Sequence, residues 1–281
     1  MEIDTLVLSG CGPSGLAYTG IFRALLEKGI LTTELDGIIE IITTSVGILF
    51  AFAILIKLDN NAIREIVMRF DIGSMLNIDD IQIDTLIQDC GLYETIGIRK
   101  IFTSLCKNIL QRDDITLKEL HDLIPICLTI KVFNVTNTKT EYISYKTHPT
   151  LSIITLAEMT TAIPIFFKPV SYNGCLYTDG GLRGSFPIER CNSPNYLGIY
   201  IDGACSEYIP DVTELCPILK YMMSLLAESN PHLHQETTPR VIYLKVGLGL
   251  DFQIEDSLKL KVIQEVYQKT LMHINEHLDK D

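Results

Sequence analysis

The chain has no excess of positive charge, no apolar run long enough to cross a bilayer, no paired-cysteine motif, no low-complexity stretch and no internal repeat. Each absence removes a class of protein. Lys and Arg number 23 against 35 Asp and Glu, a formal net charge of −12. Nucleic-acid phosphates need a basic surface, so nucleic acid is excluded as a partner. Electrostatic docking on anionic lipid is excluded as well, which leaves apolar side chains as the route to any membrane contact. The longest apolar run, residues 46–56, falls well short of the ~20 residues a spanning helix needs. Eight cysteines stand at 11, 90, 106, 127, 175, 191, 205 and 216. Such scatter is unlike the disulfide framework of a short secreted chain, so reduced and mostly buried thiols are expected. The sequence opens into a strand-like run with no basic leader ahead of it. These absences predict a soluble, intracellular, cytoplasmic protein.

What is present is material for a core. Hydrophobic residues make up 47% of 281, enough to bury a substantial interior in one large domain. Apolar strands alternate with amphipathic helices throughout, so the expected fold class is α/β: a single domain over residues 1–281 with a mostly parallel central sheet flanked by helices. The expected strands are 5–9, 38–44, 126–135, 142–145, 196–201 and 241–246, with two short runs meeting in a tight turn around Asn173-Gly174. Residues 137–139 read as a hairpin turn. Residues 152–161 read as a helix ended by Pro164. Residues 57–123 read as helical, with Ile63, Ile66, Val67 and Phe70 on one apolar face and Ile98, Ile101, Leu105 and Ile109 on another. This block (58–123) would either cover a site or pack one face of the sheet. Leu258, Val262, Val266 and Ile274 mark a closing helix. The sequon Asn134-Val135-Thr136 is taken as accidental.

Three stretches carry chemistry. The first is residues 40–58, where a β-branched run turns at Ser45 and Gly47 into an almost wholly apolar segment. A strand turning sharply into a buried helix, with serine at the corner, exposes a nucleophilic hydroxyl; the same residues also fit an ordinary strand and a helix N-cap. The second is Gly10-Cys11-Gly12-Pro13-Ser14-Gly15, a turn between strand and helix. It matches the dinucleotide fingerprint, with Glu34 and Asp36 near the position of a ribose-binding acid. It equally suits an oxyanion hole of backbone N–H groups at a helix start. The third is Asp179-Gly180-Gly181, which ends an apolar run and so sets a carboxylate at a strand end. His232 with His234, and His273 with His277, have spacings compatible with a metal but lack a third ligand, so no metal is expected.

In this order the three stretches resemble the patatin-like phospholipases, acyl hydrolases with a Ser–Asp dyad and no catalytic histidine. The matching residues are Ser9-Gly-Cys-Gly-Pro-Ser-Gly15, Thr43-Thr-Ser45-Val-Gly47 and Asp179-Gly-Gly181. The block Met159-Thr-Thr-Ala-Ile-Pro164 and the stretch Gly247-Leu-Gly-Leu-Asp-Phe252 are also similar to the family. The resemblance implies a three-layer α/β/α fold. It implies Ser45 as nucleophile, Asp179 as base, and Gly10, Cys11 and Gly12 as oxyanion donors, with Thr43, Gly47, Gly180 and Gly181 supporting the turns. It further implies phospholipid or lysophospholipid as substrate, transient peripheral membrane contact, and neither cofactor nor metal. Three positions depart from the family pattern. Cys11 stands for a glycine, Ser14 for a basic residue, and Thr43 for the first glycine of the serine motif, where a β-branched side chain is expected to crowd the turn. Two other readings stay open: a patatin-fold protein that binds lipid or a partner with weakened catalysis, and a dinucleotide-binding oxidoreductase.

Overall fold

The computed structural model describes residues 2–69, 83–203, 238–248 and 254–278. Ten strands occur among them: β1 (Thr5–Leu8), β2 (Glu40–Thr44), β3 (Gly91–Tyr93), β4 (Cys127–Asn134), β5 (Lys139–Ile143), β6 (Ile165–Phe167), β7 (Val170–Tyr172), β8 (Cys175–Asp179), β9 (Tyr196–Asp202) and β10 (Val241–Lys245). The main sheet runs β10-β9-β1-β2-β4-β8-β7, with β5 also on β4. The steps from β10 to β4 are parallel, and the β4–β5, β4–β8 and β7–β8 pairings are antiparallel. The sheet is therefore mostly parallel and flanked by helices. Its central strands are buried on both faces, which is why β1 and β2 read as continuous apolar runs rather than alternating ones. Leu6, Leu8 and Ile41 enter the large core on one face, while Val7 and Ile42 meet Phe186 on the other.

Register on β4 decides where the site lies. Thr44, the last residue of β2, pairs with Lys131, and Asp179, the last residue of β8, pairs with Val132. β5 pairs with Ile130 through Asn134 and so occupies the opposite edge of β4. β2 and β8 therefore share one edge of β4, run in opposite directions, and end at neighbouring registers. Two chain segments 134 residues apart are brought end to end by a single strand.

Most of the expected elements form, with differences at their ends. Ser152 caps the helix Ile153–Thr161 through its side chain, and Gly29 takes a positive φ just after the helix Ala17–Glu27, both as residue type dictates. Within 57–123 the pattern is broken by strand β3, which pairs with β6 in a separate two-stranded sheet. Helical periodicity had no means of showing a strand whose partner lies about seventy positions on. Ile63, Ile98 and Leu105 are buried as expected, but Ile109 is exposed in the π-type turn Cys106–Leu110 that ends its helix. Leu258 is likewise exposed on the helix Asp256–His273, whereas Val262, Val266 and Ile274 are buried as expected, with Tyr267 beside them. Asn134 is buried and its amide donates to Glu141, which leaves no acceptor for a glycan. The six described cysteines are free thiols, but only Cys106 and Cys127 are buried and Cys90 is exposed; Cys205 and Cys216 lie outside the described residues. No described helix is long and apolar enough to cross a membrane.

Candidate active site

Ser45 sits where β2 turns into the helix Gly47–Leu55. The helix is apolar on every side and buried along its length, so the core dictates its position and the turn must fit what remains. Ser45 adopts φ +52°, a left-handed conformation that costs a non-glycine residue roughly 1–2 kcal/mol. Strain of this kind persists only where the surroundings over-determine it. Here the Ser45 amide donates to Thr160 Oγ1 at 2.8 Å, and that hydroxyl donates onward to the Lys131 carbonyl at 2.9 Å. The Thr44 hydroxyl donates to the same carbonyl at 3.0 Å. Close packing completes the clamp. A Cβ on Gly10 would lie 2.6 Å from Ser45 Cβ, and one on Gly47 would lie 2.1 Å from Thr43 Oγ1. The threonine at 43 therefore does not crowd the corner, because its hydroxyl lies in the space that the missing side chain of Gly47 leaves free.

The Ser45 hydroxyl donates to Asp179 Oδ2 at 2.6 Å, and the other carboxylate oxygen accepts the Gly181 amide at 2.7 Å. Both side chains are nearly enclosed, at 6% and 5% exposure. Burial raises the Asp179 pKa from the ordinary carboxylate range to about 6, against the opposing pull of the Ser45 and Gly181 hydrogen bonds and the Lys131 charge. A carboxylate with pKa near 6 takes a proton from a hydroxyl more readily than one near 4.

The glycine turn lies against this pair, but not all of its expected donors are available. The Gly10 amide donates to the Ser185 carbonyl at 2.7 Å and so is already committed. The amides of Cys11 and Gly12 have no acceptor among the described residues. Gly12 opens the short helical turn Gly12–Leu16 with φ +52°, a conformation glycine adopts without cost. The amide of Val46, next after the serine, likewise has no acceptor among the described residues. Ser14 is fully buried, its hydroxyl is unpartnered among the described residues, and a Cβ on Gly203 would come 3.0 Å from that hydroxyl, so the position is closely packed. Glu34 pairs with Lys57, and Asp36 accepts from the Thr32 hydroxyl, so neither acid of the dinucleotide reading faces the turn. His273 Nε2 lies 3.1 Å from the Pro239 carbonyl; His232 and His234 lie outside the described residues, as do residues 249–252 of the stretch that begins at Gly247.

Sequence reasoning did not assign Thr160, Lys131 or Val46. Thr160 lay inside the block already noted for its likeness to the family. Lys131 was signalled only by a charge in the middle of an otherwise uncharged strand.

A sequence model of the family described as Patatin-like phospholipase matches residues 6–191, which include the glycine turn, the serine corner and the aspartate turn. The chain belongs to the patatin-like phospholipase family. A curated relative, "Probable lipid hydrolase 463L" of Invertebrate iridescent virus 6, is 28% identical over 186 residues, covering 66% of this chain and 62% of that one. This chain thus matches less than two thirds of that relative's length. Among solved structures, VipD from Legionella pneumophila superposes with a TM-score of 0.64 at 17% identity, over 99% of this chain and 67% of that one. ExoU, solved with SpcU from the type III secretion system of Pseudomonas aeruginosa, gives 0.54 at 15% identity, over 99% and 53%. At such identities the likeness concerns the fold alone.

Proposed function

We propose that this member of the family hydrolyses the acyl esters of phospholipid or lysophospholipid through the dyad Ser45–Asp179. The observation that carries the reading is the 2.6 Å hydrogen bond from Ser45 Oγ to a buried carboxylate, at a residue held in a strained corner. Asp179 accepts the hydroxyl proton as Ser45 Oγ bonds to the ester carbonyl carbon. Negative charge then gathers on the carbonyl oxygen, where the free amides of Cys11 and Gly12 donate; one such donor is worth roughly 10²–10³ in rate. The carboxylic acid returns its proton to the departing alcohol, leaving an acyl ester on Ser45. Water, deprotonated by Asp179, releases the fatty acid and restores the serine. Ser45, Asp179 and the backbone amides suffice for acyl transfer, and release of the acid adds one water. A small cavity beside the turn, lined mainly by apolar groups (Leu16, Val46, Leu49, Phe50) with Lys259 also on its wall, suits an apolar segment of the substrate. Ile48 and Phe52, by contrast, are fully buried core. With a net charge of −12, transient contact with a membrane surface from the cytoplasm would run through apolar side chains.

A fluorophosphonate probe tests the nucleophile, and a lipid panel tests the substrate. Labelling of the wild type that disappears in Ser45→Ala, with fatty acid released from phospholipid, is the expected result. A folded wild type that resists the probe and releases no fatty acid would leave a protein that binds lipid without cleaving it.

A further inference from the structure

Lys131 is 1% exposed in the middle of β4, whose every other residue is buried. Lysine is almost never buried unless it is paired, so its position needs a reason. Its Nζ donates to the carbonyls of Arg183 at 2.6 Å and Gly184 at 2.9 Å, and to Glu189 Oε1 at 2.7 Å. Those acceptors use all the donors an ammonium has. Arg183 and Gly184 end the short helical turn that begins directly after Asp179. The backbone of the same residue faces the other way, with its carbonyl accepting from Thr44 and from Thr160. A Cβ on Gly180 would come within 2.3 Å of that carbonyl, so the aspartate turn presses directly on Lys131.

We infer that Lys131 is a positioning residue for the dyad: it ties down the turn that carries Asp179 and, as a buried positive charge, favours the ionised carboxylate. The inference rests on the dyad reading and adds a residue to it. Its charge accounts for part of the restraint on the Asp179 pKa, which burial alone would raise further. The other charged and titratable groups around the turn divide between two sides. On the Lys131 side stand Glu189, Tyr142, whose hydroxyl donates to Glu189, and Arg190 and Arg183. From the helix Ile153–Thr161 comes Glu158, held by Arg99 and Thr95. Glu189 is the only acid among the described residues in contact with the Lys131 ammonium, at 35% side-chain exposure, so changing it perturbs the charge balance from the surface.

The direct test is a carboxyl-carbon NMR titration of aspartate-labelled full-length protein, with Asp179 assigned by its loss in Asp179→Asn. The wild-type midpoint is expected near 6. Lys131→Met should raise it by about one pH unit, and Lys131→Arg should keep it near the wild type. Glu189→Gln removes the neighbouring anion and should move it the opposite way; being at the surface, it decides the matter even if Lys131→Met does not fold. Where the protein is active, the acid limb of kcat should shift with each midpoint, whereas a purely structural role would lower kcat equally at every pH. An unchanged midpoint in both Lys131→Met and Glu189→Gln, or in Glu189→Gln alone when the other does not fold, would overturn the inference. Absence of Ser45-dependent fatty-acid release would instead sink the hydrolase reading and leave the titration result standing.

Discussion

The two ends that meet on β4 are held out of their relaxed states by different physics. At the end of β2, Ser45 carries backbone strain: its φ of +52° is unfavourable for any side-chain-bearing residue and is unaffected by pH. At the end of β8, Asp179 has ordinary backbone geometry but carries electrostatic strain, because its charge is nearly cut off from water. The contrast shows how the two ends depend on their neighbours. The serine needs packing and one well-placed acceptor, whereas the aspartate needs hydrogen-bond donors and a compensating charge. Variants that relax one strain should therefore be separable from variants that relax the other by how their stability responds to pH.

The largest effect belongs to Asp179→Asn. Loss of the base should reduce turnover by roughly 10⁴, the scale seen when an orienting or accepting acid is neutralised in related hydrolytic sites. Stability should move the other way. The folded-state pKa, about 6, lies above the ordinary 3.8, so ionising the carboxylate is harder in the folded chain. Below pH about 4 both states are protonated and there is no penalty; above about 6 the folded state bears all of it, at most about 3 kcal/mol. The asparagine variant should therefore melt above the wild type at pH 8 and level with it at pH 4. The same ionisation sets the wild-type rate, so kcat should fall with unit slope below pH about 6. A stability gain equal at both pH values would show that the strain at residue 179 is not electrostatic.

Thr160→Val is the counterpart at the serine end. Valine keeps the shape but leaves the buried Ser45 amide without its acceptor, while the Lys131 carbonyl keeps the Thr44 hydroxyl. An unsatisfied buried group costs roughly 1–3 kcal/mol. The loss should be the same at pH 4 and pH 8, and turnover should fall because the corner is no longer held. Chemical denaturation at the two pH values checks it. A loss that changed with pH would mean that Thr160 acts on the aspartate rather than on the serine.

How much of this was legible beforehand follows the same division. Ser45 and Asp179 could be picked out because each sits in a short motif, and residue type and local spacing are what a sequence displays. The central strands were legible from their buried apolar runs. Which amides are free to meet an oxyanion was not, since the commitment of Gly10 depends on a carbonyl at Ser185, on a segment remote in sequence. The role of Lys131 was hidden for a similar reason: its acceptors lie 52, 53 and 58 positions away. Strand β3 shows the limit of periodicity, because three residues are too few to establish a period and its pairing partner is distant. How Thr43 fits the corner was hidden because its hydroxyl lies against Gly47, a close approach that spacing along the chain does not display.

The smallest effect isolates the backbone strain itself. Ser45→Ala and Ser45→Gly both remove the hydroxyl and its hydrogen bond to Asp179, so they share every consequence for the carboxylate and differ only in a Cβ. At φ +52° that Cβ is unfavourable, whereas glycine occupies the region freely. Glycine's greater freedom in the unfolded chain works against it by about 0.5–1 kcal/mol, and the left-handed cost works for it by about 1–2. The glycine variant should therefore be the more stable of the two by about 1 kcal/mol, equally at pH 4 and pH 8, with both inactive. Paired denaturant melts resolve a difference of that size. If alanine proved as stable as glycine, residue 45 would carry no strain in solution, and the dyad would hold its geometry through the Asp179 side alone.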